Sequence, residues 1–210
     1  MNTLNYIVQK YDIDLRQRSP IEIPNIGRDL LAGLFNELGF TVGVEIGVQQ
    51  GEYAEVLCKA IPGLKLYGVD PWKTYRGYRE YVTQAKLDGF IAEACDRLTT
   101  YDWQPIRRFS MAAAEDFDAN SIDFVYIDGN HDLQNVINDI AEWSKKVRPG
   151  GIISGHDYIK RKGPTNTHVI SAVQAYTYSY GINPWFLLGA RKREPGIVRD
   201  RSRSWMWVKE

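Results

Sequence analysis

Cysteine is scarce: Cys58 and Cys95 are the only two in 210 residues. Two cysteines cannot build a disulfide framework or a cysteine-based zinc site, so a reducing cytoplasm fits the chain. Net charge is missing as well, because 26 Lys+Arg balance 26 Asp+Glu. Without a whole-chain attraction to phosphate, nucleic acid is a poor partner. Histidine is limited to His131, His156 and His168. No stretch approaches the ~18–20 apolar residues of a membrane span. The opening MNTLNYIVQKYDIDLRQRSP holds no apolar run fit for a signal peptide. Internal repeats and low-complexity segments are lacking too. A secreted, disulfide-built or membrane-spanning protein is therefore disfavoured.

The composition is globular, with 44% apolar and 25% charged residues. It is enough to bury one full core. Residues 1–24 read as polar, with Pro20 and Pro24, and 1–27 is expected to be an N-terminal arm before a domain over 28–210. In 28–38 the leucines and Phe35 fall on one helical face, closed by Gly39. A buried strand is expected over 41–46, a helix over 54–60 and a second strand over 64–70. Helical character follows at about 79–98, a weaker strand at 105–110 and a short helix at 111–117. SIDFVYID (121–128) is a strong strand, and 132–147 is an amphipathic helix carrying Val136, Ile140 and Trp143 on one stripe. GIISGHD (151–157) is a further strand. This alternation predicts an α/β fold, a Rossmann-like doubly wound sheet with helices on both faces. After 157 a helix over 165–180 precedes strands at 184–189 and 204–209, close enough to pair antiparallel.

Ligands of such sheets bind at the carboxyl ends of the strands. The first such end is VEIGVQQGEY, where Glu45 ends a strand and Gly47 and Gly51 flank the turn. This is not the G-x-G-x-x-G of a dinucleotide site, and Glu45 would repel a pyrophosphate. A carboxylate there suits an ammonium group. Asp70 ends the second strand, where an acid commonly holds ribose hydroxyls. Acid, glycine turn and second acid together suggest a nucleoside with a cationic tail. A second cluster lies at the ends of the next strands. Asp128 is followed by His131 and Asp132, and the neighbouring strand ends in His156 and Asp157. Asp128, His156 and Asp157 could ligate a divalent ion, leaving His131 as a base. Asp132 reads as a helix cap, and His156 equally reads as a loop hydrogen-bonder.

VEIGVQQG (44–51), GVDPW (68–72) and VYIDGNHDLQNVINDIAEWSKKVRPGGIISGHDY (125–158) resemble the class I S-adenosylmethionine-dependent methyltransferases. Within that class the resemblance is to the small-molecule O-methyltransferases of methyltransferase family 24, akin to catechol and macrolide-sugar enzymes. It covers about residues 40–160. It implies a seven-stranded, mostly parallel sheet with an antiparallel last strand. It also implies S-adenosylmethionine with Glu45, Gly47 and Gly51 at its methionine end, Asp70 on the ribose, and Ser110 and Met111 near the adenine. Asp128 would border that site and, with Asp157, hold Mg²⁺ or Mn²⁺. His156 stands where an acid is usual, and His131 matches the base position. The acceptor would be a small-molecule hydroxyl, a sugar or a phenol. A metal-independent methyltransferase and a non-catalytic cofactor-binding protein are the alternatives. GNHD (129–132) also occurs in metallophosphoesterases, but three histidines are too few for their two-metal site. The aromatic 72–81 segment suits either a lid over the substrate or a contact in a homo-oligomer. The basic residues of 191–203 suit either an anionic substrate or a solvated loop.

Overall fold

The structure is a computed structural model that describes residues 2–75, 83–160, 167–192 and 194–210. In chain order its elements begin with α1 (Thr3–Tyr11), β1 (Ile21–Ile23), α2 (Arg28–Glu37), β2 (Val42–Ile46), α3 (Glu52–Ala60) and β3 (Lys65–Val69). Next come α4 (Gln84–Leu98), β4 (Trp103–Ile106), α5 (Ser110–Ala114), β5 (Ile122–Ile127) and α6 (Leu133–Lys146). The last are β6 (Val147–Gly155), α7 (Val169–Ser179), β7 (Phe186–Leu188) and β8 (Trp205–Val208). No helix among the described residues is long and apolar enough to cross a membrane.

The strands form one sheet in the order β1-β7-β8-β6-β5-β2-β3-β4. All neighbours are parallel except β8, which is antiparallel to both β6 and β7. The expected seven strands are present, with the antiparallel pair at the end of the chain. From β2 the chain winds outward through β3 to β4, then returns to lay β5 on the other side of β2. The crevice between the ends of β2 and β5 is thus the topological switch point.

Period-2 alternation sorts the two faces of the sheet. On β5, Phe124 and Tyr126 pack with Leu31, Phe35 and Leu57 from α2 and α3. Val125 and Ile127 pack on the other face with Val136, Ile140 and Trp143 of α6 and Val173 of α7. Every residue of β5 is buried, as a strand covered on both faces requires.

Three elements differ from the sequence expectation. The polar-looking first residues contain α1, whose Leu4, Ile7 and Tyr11 lie on one face; Ile7 is fully buried. They also contain β1, whose buried Ile21 and Ile23 add an eighth, parallel strand beside β7. The other difference is β4, which sits earlier than expected, at Trp103–Ile106. It is an edge strand, where the missing N–H of Pro105 is tolerated.

Candidate active site

Four strand ends are stitched together at the switch point. Gly47 N donates to Val69 O (2.9 Å), Asp128 N to Ile46 O (2.7 Å), and His156 N to Ile127 O (3.0 Å). Gly47 has φ +88°, and a Cβ there would lie 2.2 Å from the Asp128 carbonyl oxygen. Only glycine lets the turn after β2 pass this close to the end of β5. Gly51, at φ +74°, caps the start of α3 against Ala94 and Leu98.

Asp70 organises the turn. Its Oδ2 accepts from Val48 N (3.0 Å) and Gln49 N (3.1 Å), and its Oδ1 from Trp72 N (2.8 Å). Burial raises its pKa, and these amide bonds oppose the shift. Glu45 is 1% exposed, and its Oε2 has no hydrogen-bond partner among the described residues. Burial pushes its pKa up to about 8, opposed by Arg28 and reinforced by Asp128 and Asp70. A buried carboxylate with an unmet oxygen is what an arriving ammonium group would satisfy.

The structure brings Asp128, His131, His156 and Asp157 together. His131 Nε2 lies 3.1 Å from Asp157 Oδ2 and 3.7 Å from Asp128 Oδ1. Asp157 is held in left-handed backbone, φ +55°, a strained conformation of the kind that clusters at functional sites. His156 stands between carboxylates: Nδ1 is 3.6 Å from Asp128 Oδ2 and 3.8 Å from Asp157 Oδ1, and Nε2 is 3.5 Å from Asp200 Oδ1. Burial opposes its charge, but Asp128 and Asp200 outweigh it and raise its pKa to about 9. Burial likewise opposes charge on Asp128, yet His131, His156 and Arg28 hold its pKa well below the usual carboxylate range.

Among the described residues, the acid–histidine group whose ligand atoms all lie within 4.8 Å of one another is Asp128, His131 and Asp157. Two carboxylates and an imidazole at this spacing are donors that could hold a divalent ion. The expected set had His156 in place of His131; His156 faces the same two carboxylates with Nδ1 and turns Nε2 toward Asp200. Asp132 does sit at the N-cap of α6 but makes no side-chain cap bond; His168 Nδ1 accepts from Leu133 N instead, at 3.3 Å.

Ser110 and Met111 open α5. The Ser110 hydroxyl is turned inward, where it accepts from Trp143 Nε1 (2.8 Å) and pairs with buried Asp139. Burial pushes Asp139 up to about 7, with the Ser110 bond opposing. Met111 borders a surface cleft with Glu115, Asn138 and Lys146. The 72–81 segment begins under the glycine turn, where buried Trp72 donates from Nε1 to Gln49 O (2.9 Å). Tyr75 then accepts from Asn130 Nδ2 (2.8 Å) and meets Phe109 edge-on at 5.3 Å. Residues 76–82, which carry the rest of that aromatic segment, and Arg193 of the basic loop lie outside the described residues.

Sequence reading missed Arg28 and Asp200. Arg28 opens α2, and its Nη2 lies 3.2 Å from Asp128 Oδ2. Asp200 sits among basic residues, yet it is 7% exposed and holds Arg28 N, Arg203 N and Ser204 N with its oxygens. Neither had a local signal, since a helix-opening arginine and a loop aspartate both read as solvated.

This arrangement of strand order, switch-point glycine turn and strand-end acids defines a class I methyltransferase. A methyltransferase domain family model, methyltransferase family 24, matches residues 44–158, more than half of the chain. The chain belongs to this family and is an S-adenosylmethionine-dependent methyltransferase. No curated protein matches it by sequence. Among solved structures it resembles the O-methyltransferase from Bacillus cereus in complex with SAH, at 15% identity and TM-score 0.59. It also resembles the O-methyltransferase TomG from Streptomyces achromogenes, involved in tomaymycin synthesis and complexed with SAM, at 16% identity and TM-score 0.61. Each likeness covers 99% of this chain and 90% of the other. At such identities the likeness is one of fold.

Proposed function

We propose that this enzyme moves the methyl group of S-adenosylmethionine to a hydroxyl of a small molecule, a sugar or a phenol, with His131 as the base. The observation that carries the reading is the imidazole of His131, flanked by Asp157 and Asp128 at the strand ends that face the Glu45–Gly51 turn. The acceptor oxygen attacks the methyl carbon in line as the carbon–sulfur bond breaks. S-adenosylhomocysteine leaves, and the hydroxyl proton passes to the imidazole of His131. Asp128 and Asp157 hold the ring and stabilise the imidazolium formed. Glu45 receives the cofactor's ammonium group, and Asp70 faces the ribose. Ser110 and Met111 border the adenine through the start of α5. The free Cys58 and Cys95 accord with a cytoplasmic enzyme.

A second reading is favoured by the convergence of Asp128, His131 and Asp157. These residues would hold Mg²⁺ or Mn²⁺. When bound, such an ion lowers the hydroxyl's pKa and orients it. One nitrogen cannot both ligate an ion and take a proton, so an ion held through the proton-accepting nitrogen of His131 would displace it as the base. Exhaustive chelation decides. Turnover that survives it leaves His131 as the base. Turnover lost on chelation and restored by Mn²⁺ or Mg²⁺ makes the ion part of the reaction, held by Asp128 and Asp157.

A further inference from the structure

We propose that Arg28 binds the α-carboxylate of the cofactor's amino-acid end, opposite Glu45, so that the pair selects a zwitterionic ligand. The inference rests on the S-adenosylmethionine reading and deepens it. Arg28 is carried to the switch point by its backbone. Its N–H donates to Asp200 Oδ2 (3.3 Å), and its carbonyl accepts from Tyr53 Oη (3.0 Å). The guanidinium then lies over the Tyr53 ring at 4.3 Å and near the Tyr126 ring at 5.5 Å. These aromatic walls fix the plane of the fork.

The fork is incompletely used. One terminal nitrogen meets Asp128, while Nε is buried without a hydrogen-bond partner among the described residues. Glu45 Oε2 is in the same condition, and each group feels the other's charge. Yet among the described residues no ion pair joins the two. A buried unmet donor and a buried unmet acceptor in one charge environment are each costly without a partner. An α-amino acid carries ammonium and carboxylate on one carbon and would satisfy both together. A guanidinium grips a carboxylate through two parallel bonds, which an ammonium side chain cannot reproduce. The Arg28 side chain is 29% exposed, so the crevice can reach it.

Position agrees with chemistry. Arg28 approaches Oδ2 of Asp128, and His131 lies beside Oδ1. Two methylenes separate the α-carbon of methionine from its sulfur. A carboxylate held by Arg28 therefore leaves the sulfonium methyl free to lie on the His131 side of Asp128.

The test is calorimetric titration of the wild type, Arg28→Lys and Arg28→Met with S-adenosylmethionine and with its decarboxylated analogue. The wild type should bind the intact cofactor about 10- to 100-fold more tightly than the analogue. Arg28→Met should bind the two alike, at the level of the analogue on the wild type, and Arg28→Lys should recover only part of the preference. Equal binding of both ligands by the wild type overturns the role of Arg28 and leaves the cofactor reading intact. Equal weakening of both ligands in Arg28→Met, with the preference retained, also overturns it. Should Arg28→Met fail to fold, the wild-type comparison and Arg28→Lys still decide. Failure of the wild type to bind either ligand overturns the cofactor reading, and this inference with it.

Discussion

Glu45→Gln should make the empty enzyme more stable and the enzyme less able to bind its cofactor. Glu45 is buried with one oxygen unmet, and its pKa in the folded chain is about 8 against an ordinary 4.5. Between those values the native state keeps a proton that the unfolded chain has released. Stability must therefore fall as pH rises from about 4.5 to about 8, and the full cost is present above that window. At ~1.4 kcal/mol per unit the ceiling is roughly 4–5 kcal/mol. Relaxation and water entering the crevice reduce it, and we expect about 1–2 kcal/mol. For a chain of this length that is a rise of roughly 2–8 °C in Tm. The assay is thermal unfolding of ligand-free protein at several pH values, paired with cofactor titration. Near pH 4.5 the variant and the wild type should melt together, because glutamine mimics the protonated acid. At pH 8.5 the variant should melt higher, while its affinity for S-adenosylmethionine falls at least ~10-fold through loss of a charge-assisted bond. A variant that melts lower at pH 8.5, or that keeps the wild-type pH slope, would refute the assignment of this cost to Glu45.

His131→Ala should lower turnover by about 10²–10⁴-fold with cofactor affinity close to unchanged, as expected for loss of a general base. Rate and binding measured on the same preparation check this, and a parallel loss of both would make His131 a loop strut. Ile7→Ala in α1 should destabilise the fold by about 2–5 kcal/mol, since Ile7 is fully buried against the sheet. Urea unfolding reads it directly, and a loss below ~0.5 kcal/mol would mean that α1 does not belong to the cooperative core.

The elements from α2 to β6, apart from the displaced edge strand β4, were legible because each carries its own period. The strands are β-branched runs between glycines, and α6 shows its stripe even with Leu133 left at the exposed end. The N-terminal elements hid behind composition. In α1 the apolar Leu4, Ile7 and Tyr11 are interleaved with Asn5, Gln9 and Lys10, and Tyr6 and Val8 fall off their stripe and blur it. Strand β1 is only three residues long, and nothing local announces its pairing with β7, more than 160 residues away in sequence. The glycine turn and the strand-end acids were legible because their chemistry is tied to strand ends. The partners of those acids were not. Arg28 reaches Asp128 only because Asp200 and Tyr53 fix the start of α2, and His156 becomes a bridge only because the 189–203 loop folds Asp200 back onto it. Both are consequences of tertiary packing around one crevice.

The most direct test of the account is methyl transfer itself. Wild-type enzyme is incubated with S-adenosylmethionine bearing a deuterated methyl group and a panel of phenols and sugars, and the products are read by mass spectrometry. The account predicts the labelled methyl on oxygen of at least one acceptor, with S-adenosylhomocysteine formed in equal amount. Label found only on nitrogen or carbon, or no transfer to any hydroxyl by enzyme shown to bind the cofactor, would contradict it.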